Sequence, residues 1–425
     1  MSRRQRAHAA LLIALAAAAA CDRRKAPADA LRTNEQLAAK IATITPRIEE
    51  LVGLRFKTPP RAEIHSKSDV RAVIERQFNE SAAARDLSGQ EAAYKRLGLI
   101  PDTLDMRKYF VELLTEQVIG LYDPKTKTLY VVGDLPTEVV GLTTAHELVH
   151  ALQDQYFNLD SIQRVERDND RAEAAAAVIE GQATYVHTAY TVGTANVAAR
   201  LPGGWDRIRQ EIRNRQSQMP LFSSAPLIVQ ETLLFPYVSG LEFMSRFSSA
   251  RAGKQPLADP PRSTEQIIAP DRYFVTRDTP TTIVLPPLRG GAATYENGLG
   301  EFETRLLLYE YLADQGTSMR GAAGWDGDRY AVMRTGGGEG IVWVSVWDTA
   351  VDAGEFYDAM DEGIKKRFKI ASVGEHTGAR TYAAGARSLT LSTVEVQGRP
   401  VVVYVDVPRG ASTDVLDVRA IRLSQ

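Results

Sequence analysis

His146, Glu147 and His150, in the stretch HELVHALQDQ, are residues whose types and spacing can do chemistry. On an α-helix, residues four apart differ by about 40° in direction and share a face. The two imidazoles therefore point the same way, one turn apart, and can converge on one tetrahedral ion. Glu147 lies beside the first of them and can reach a water at that ion without taking a ligand position. Zinc lowers the pKa of such a water toward about 7. Glu147 would then accept its proton and pass it to a leaving group. With six histidines in the chain, this pattern arises by chance on the order of one time in a hundred. Here it is centred in a helical pattern among Ala145, Leu148, Val149, Ala151 and Leu152, which argues against a chance polar patch.

A catalytic zinc needs a third protein ligand and an open fourth position. Glu180, in AVIEGQATY, is the preferred candidate. It stands in an apolar run where an unpaired carboxylate is costly, and Gly181 and Ala183 beside it permit close helix approach. Glu173, seven residues earlier on nearly the same face, is the competitor. His187, two turns beyond Glu180, is a further ligand or transition-state donor to weigh. Asp154, four residues after His150, can orient a ligand histidine or pair with a neighbouring helix. Asp168 and Asp170 are alternatives for that supporting role, or helix N-caps.

These residues need elements to position them. LYDPKTKTLYVVG, from Leu121 to Gly133, reads as two strands around a polar turn. Such a strand pair can supply an edge to hold an extended peptide. The helix carrying HELVH is expected from about Val139 to Tyr156, and a second, Ala-rich helix from Arg171 to Val192. TNEQLAAKIATITPRIEELVGL places Leu37, Ile41, Ile48 and Leu51 near helical spacing. Further helices are expected within 69–120 and 203–250. Residues 251–292, rich in Pro, Thr and Asp, read as a linker or extended wrap. The rhythm then changes to a helix, strand-like runs at DRYAVMR and GIVWVSVW, another helix, and two strands around a Gln-Gly turn.

The expected fold class is α+β. Residues 1–21 form a signal peptide and 22–60 a tether and helix. Residues 61–250 form a mainly helical catalytic domain with a small edge β-hairpin, 251–292 a linker, and 293–425 a smaller α+β domain. A chain of 425 residues with 44% hydrophobic and 24% charged side chains can build such cores. A net charge of -2 with no basic, aromatic-interleaved run argues against a nucleic-acid partner.

The N-terminus carries Arg3, Arg4 and Arg6, then an apolar stretch from Ala9 to Ala20. That stretch is too short for a stable membrane span and reads as a secretory signal. Cys21, the chain's single cysteine, follows immediately. It reads as the acylated first residue of an exported bacterial lipoprotein, anchored to a membrane of the cell envelope. Ala18 departs from the Leu common in such signals. The alternative is an ordinary signal peptide cut near Ala20, with Cys21 a bystander.

HELVH with a glutamate on a later helix resembles the gluzincin class of zinc metallopeptidases. A closer resemblance is to a family of uncharacterised exported prokaryotic proteins, on HELVHALQDQ at 146–155, EGQAT at 180–184, FPY at 235–237, PRSTEQI at 261–267 and GWDGDRY at 324–330. It covers most of residues 110–350. The resemblance implies a zincin-like fold, one Zn2+, His146, His150 and Glu180 as ligands, and Glu147 as base. Ala269 stands where relatives often have His. No substrate is implied.

A peptidase also needs a donor for the oxyanion. Tyr237, in LLFPYVSG, is the first candidate, with Tyr190 and His187 next. Trp325 and Tyr330 are expected to pack a turn in which Asp326 and Asp328 bond the loop backbone. The reading is a zinc metallopeptidase-like hydrolase acting on a peptide or protein. The alternatives are a non-catalytic envelope lipoprotein using the same fold for binding or assembly, and a zinc hydrolase of cell-wall peptides.

Overall fold

The computed structural model describes residues 13–14 and 30–425, apart from 134, 164–166, 194–203, 373 and 377. Cys21 and most of the apolar N-terminal stretch lie outside the described residues. The fold is mixed α+β. No helix among the described residues is long and apolar enough to cross a membrane.

The first sheet has strands β1 (Ile13–Ala14), β2 (Arg61–His65), β3 (Gly120–Asp123) and β4 (Thr128–Val132), in the order β1-β3-β4-β2. β3 and β4 form the expected antiparallel pair, turned at Lys127 with φ 54°. β2 pairs in parallel with β4. Sequence reading missed β2, because its burial hardly alternates and its partner is 67 residues away, from Arg61 to Thr128.

Helices α1 (Asn34–Val52), α2 (Lys67–Phe78), α3 (Ser81–Leu97) and α4 (Met106–Gln117) precede the hairpin. α1 is not part of a tether. Leu37, Ile41, Ile44, Ile48 and Val52 are buried in one cluster with Leu148, Leu152 and Ala177, so a boundary at residue 60 divides a single core. Thr33 and Gln36 close a capping box at its start. Leu51 is only half-buried, and Ile44 and Val52 complete the inward stripe.

The helix expected around HELVH is α5 (Thr137–Phe157), buried almost continuously from Val140 to Asp154. The short α6 (Leu159–Gln163) comes next. The Ala-rich helix is α7 (Asn169–Val192), N-capped by the Asp168 side chain on the Arg171 amide. α8 (Gly204–Ser217), α9 (Pro220–Ser223) and α10 (Leu227–Ala250) complete the helical part.

Residues 251–292 are more ordered than a linker. They include α11 (Thr264–Ile268), one turn of π-helix at Arg272–Thr276, and β5 (Thr282–Val284). Thr264 donates from its amide, at 2.9 Å, and from its hydroxyl to Asp170 at the start of α7. The same hydroxyl oxygen accepts from the Phe302 amide at 3.1 Å. Ala269 closes α11 with its amide on the Glu265 carbonyl. The segment thus ties the start of α7 to the C-terminal part of the chain.

The C-terminal part has β6 (Gly291–Asn297), α12 (Gly300–Leu312), α13 (Gln315–Ala322), β7 (Trp325–Thr335), β8 (Gly338–Trp347), α14 (Ala350–Phe368), β9 (Gly374–His376), β10 (Ala379–Ala384), β11 (Arg387–Val396), β12 (Arg399–Pro408) and β13 (Arg422–Ser424). Seven of these strands form one antiparallel sheet in the order β6-β7-β8-β12-β11-β10-β9. One face packs on α12 and α14 through Trp343, Trp347 and Phe356, within the same cluster that holds Leu148 and Ile179. The other face is covered by Ile283, Leu285 and Leu288 with Val415, Leu416 and Ile421, and β5 pairs with β13 there. The helical and C-terminal parts therefore share one core.

After Gly324, which ends a turn, the rest of GWDGDRY lies in strand β7. Asp328 is half-buried and accepts from the amides of Leu299 and Gly300, both at 2.8 Å, which caps α12. It also accepts from the indoles of Trp325 and Trp343. Asp326 accepts from the Thr281 hydroxyl and pairs with Arg399. These contacts replace the expected bonds within a loop.

Candidate metal centre

α5 and α7 pack against each other and bring His146, His150 and Glu180 together, all buried. His146 Nε2 lies 3.1 Å from Glu180 Oε2 and 3.1 Å from His150 Nε2. His150 Nε2 lies 3.4 Å from the same carboxylate oxygen. Donor atoms around a tetrahedral zinc with bonds of 2.0–2.1 Å stand about 3.3 Å apart. The three atoms therefore form a triangle of the size that one such ion requires.

Their electrostatics are those of a site that holds positive charge. Burial favours neutral histidine, and it lowers His146 with help from the charge on His150. For His150 burial also pulls down, but the Glu180 carboxylate prevails and holds it up at about 9. Burial alone would raise Glu180; the two histidines instead hold it down at about 2. Without a metal, His150 and Glu180 are an ion pair.

Glu147 is fully buried on α5 beside this triangle. Strand β3 runs against it: a Cβ built on Gly120 would lie 3.3 Å from Glu147 Cγ and 3.6 Å from Oε1. A side chain at position 120 would overlap the Thr143 methyl, at 2.5 Å, and press on the Glu147 side chain. On β3's other edge, Ile13 and Ala14 of β1 pair antiparallel with Leu121 and Gly120.

Two further side chains flank His146. The Tyr237 ring on α10 stacks at 6.3 Å between centroids, and the His187 ring on α7 meets it edge-on at 6.1 Å. Both donor candidates thus stand beside His146. Tyr190 packs on the main core instead.

Glu173, the competing ligand, faces away from the histidines. It is half-buried beside Glu303 of α12, and the burial of its carboxylate, with the Glu303 charge, raises it well above the ordinary carboxylate range. Glu303 accepts from the Tyr94 hydroxyl and, at 2.9 Å, from the Asn169 amide.

Asp154 bonds neither His146 nor His150. Its buried carboxylate accepts from the Tyr122 hydroxyl and from Lys127 Nζ, both at 2.7 Å, and from the Leu159 amide at 2.9 Å. It ties the β3–β4 hairpin to α5. The residue bonded to His150 Nδ1 is Gln153, at 3.0 Å. Sequence reading missed it, although its position three residues after His150 places it within reach on the same helix. Gln155 reaches in a third direction, bonding the backbone at Lys57 and Thr58.

A second trio of acids, Glu265, Asp278 and Asp348, surrounds Arg272. The guanidinium supplies the cation there.

A family model described as a domain of unknown function, DUF8575, matches residues 287–418. That span covers most of the C-terminal part and includes neither α5 nor α7. No curated protein and no solved structure matches the chain.

Proposed function

We propose that the protein is a zinc-dependent metallopeptidase-like hydrolase of the bacterial cell envelope. The observation that carries this reading is the triangle of His146, His150 and Glu180 donor atoms at 3.1, 3.1 and 3.4 Å, with Glu147 alongside. Two imidazoles and one carboxylate are a donor set suited to a catalytic zinc, which keeps a fourth position open.

When bound, zinc supplies Lewis acidity, acidifying a water and polarising the substrate carbonyl. The remaining work falls to the chain. Glu147 takes the proton of the attacking water and returns it to the departing amine. Tyr237 and His187, both against His146, donate to the oxyanion that forms on the carbonyl oxygen. Once residues 1–21 are removed, the edge of β3 that they cover orients an extended peptide by backbone hydrogen bonds. Its pairing with Ile13 and Ala14 supports this, since an extended antiparallel segment fits that edge beside Glu147.

We place the protein outside the cytoplasm, held to a membrane by lipid on Cys21, on the strength of the N-terminal sequence. Loss of palmitate labelling in Cys21→Ala tests the anchor, and a soluble, unacylated mature protein excludes it.

The deciding experiment is elemental mass spectrometry of the purified protein beside Glu180→Ala. About one zinc per wild-type chain, largely lost in the variant, supports the centre. Wild-type protein that takes up no zinc even on incubation removes it.

A further inference from the structure

Behind His150 runs a chain of three glutamines. Gln153 Oε1 lies 3.0 Å from His150 Nδ1. Gln153 Nε2 donates to the Ile179 carbonyl at 3.1 Å and to Gln182 Oε1 at 2.9 Å. Gln182 Nε2 donates to Gln255 Oε1 at 3.5 Å, and Gln255 Nε2 donates to the Val52 carbonyl at 2.9 Å. The chain links the metal-ligand helix α5 to α7, to the turn before α11 and to the end of α1.

Its direction is fixed by chemistry rather than by how amide oxygen and nitrogen are distinguished. A backbone carbonyl can only accept, so Gln255 must turn its nitrogen to Val52 and its oxygen to Gln182. Gln182 must then give its nitrogen to Gln255 and its oxygen to Gln153. The Ile179 carbonyl demands the same of Gln153 independently. Reversing Gln153 would set its oxygen against two acceptors inside the core, where unmatched polar groups are costly. Gln153 is 1% exposed and His150 fully buried, so water cannot make good the loss.

We propose that Gln153, aligned by Gln182 and Gln255, is the positioning residue that keeps a proton on His150 Nδ1 and so makes Nε2 the atom that takes the metal. The inference rests on the zinc reading above. An amide oxygen can only accept, so Nδ1 carries its proton in either protonation state of the ring. Nε2 is then the nitrogen that changes occupant, and it faces His146 and Glu180. The neutral amide also does this without adding a charge behind the ligand, whereas a carboxylate in that place would make the imidazole more basic.

The test measures zinc affinity by chelator competition, together with the His150 Nδ1–H signal of 15N-histidine-labelled protein. In the wild type that proton should be protected from exchange with solvent, with or without zinc. Gln153→Met keeps the volume and removes both ends of the amide. It should weaken zinc about 10- to 100-fold and expose the Nδ1–H to exchange. Gln255→Met, at the far end, should produce a smaller change in the same direction. Zinc binding and Nδ1–H protection unchanged in both variants overturn the proposal. Should Gln153→Met fail to fold, Gln255→Met decides alone. Wild-type protein that binds no zinc refutes the proposed function, while protection of the Nδ1–H in that metal-free protein still tests the relay.

Discussion

Gly181 of α7 and Gly240 of α10 touch backbone to backbone. A Cβ on Gly240 would overlap the Ala177 carbonyl, and one on Gly181 would overlap the carbonyl of Gly240. This crossing sets Glu180, next to Gly181, and Tyr237, one turn before Gly240, around His146. Gly181 is the residue whose smallness was expected to allow close approach; its partner Gly240 was not foreseen.

Gly240→Ala should therefore separate α7 from α10. The expected loss is about 1–3 kcal/mol from overpacking, read by urea unfolding, with reduced zinc retention. Gly354→Ala is the control: a Cβ there meets nothing within 4 Å, so it should be neutral or stabilising, by up to about 1 kcal/mol. Equal effects from the two substitutions would count against the crossing.

Glu147→Gln should keep zinc and lose turnover by about 10²- to 10⁴-fold on a peptide library. Tyr237→Phe should lower kcat about 10²-fold or more if its hydroxyl binds the oxyanion. Full activity in Tyr237→Phe would leave His187 as the donor.

Zinc affinity should rise with pH. The Glu180 carboxylate holds His150, against the pull of burial, up to about 9. The metal must displace that proton, so affinity should climb about tenfold per pH unit through neutrality and level off above the His150 value. The metal-free fold has the opposite trend. The raised histidine contributes stability below its ordinary value of about 6.5, and that contribution is lost as pH rises through about 9. Chelator competition and thermal unfolding across pH 6–10 check both; a flat zinc profile would contradict the ion pair.

Asp154→Ala should destabilise the protein by about 1–3 kcal/mol, because it leaves the buried Tyr122 hydroxyl without its acceptor. Zinc content should not change, since Asp154 serves the β3–β4 hairpin and not His150. The cost in catalysis should appear chiefly in KM, through a looser β3. Zinc loss comparable to that of Gln153→Met would assign Asp154 to the metal after all.

Glu173 and Glu303 face each other in the core where α7 meets α12, and burial raises both. Groups raised on folding add stability at low pH that is lost as pH climbs. The wild type should therefore lose Tm between pH 5 and 8 more steeply than Glu303→Gln, in which one of the two charges cannot form. Parallel profiles would show that the pair does not share a proton.

Much of the centre was legible in the sequence because its chemistry is local. His146, Glu147 and His150 lie within one helical turn and a half, so the 3.6-residue period alone sets their directions. The α+β class, the β3–β4 hairpin and the spans of α5 and α7 come from apolar periodicity and turn residues in the same way, whereas the strands that flank that hairpin on both sides, β1 and β2, were not expected. Periodicity reports an angle around a helix and not what occupies that angle. Glu173 and Glu180 share a face of α7, seven residues apart, and only packing decides that one meets Glu303 and the other the histidines. Gln153 and Asp154 differ by about 100° on α5, and the placement of α7 on one side and the hairpin on the other makes the first a partner of His150 and the second an anchor for Tyr122. The single core that joins α1, the helical part and the C-terminal sheet includes residues as far apart in sequence as Leu37 and Tyr404. No local pattern encodes such pairings, so the place of Glu180 beside the histidines, the glutamine chain behind His150 and the union of the two parts were decided by tertiary structure.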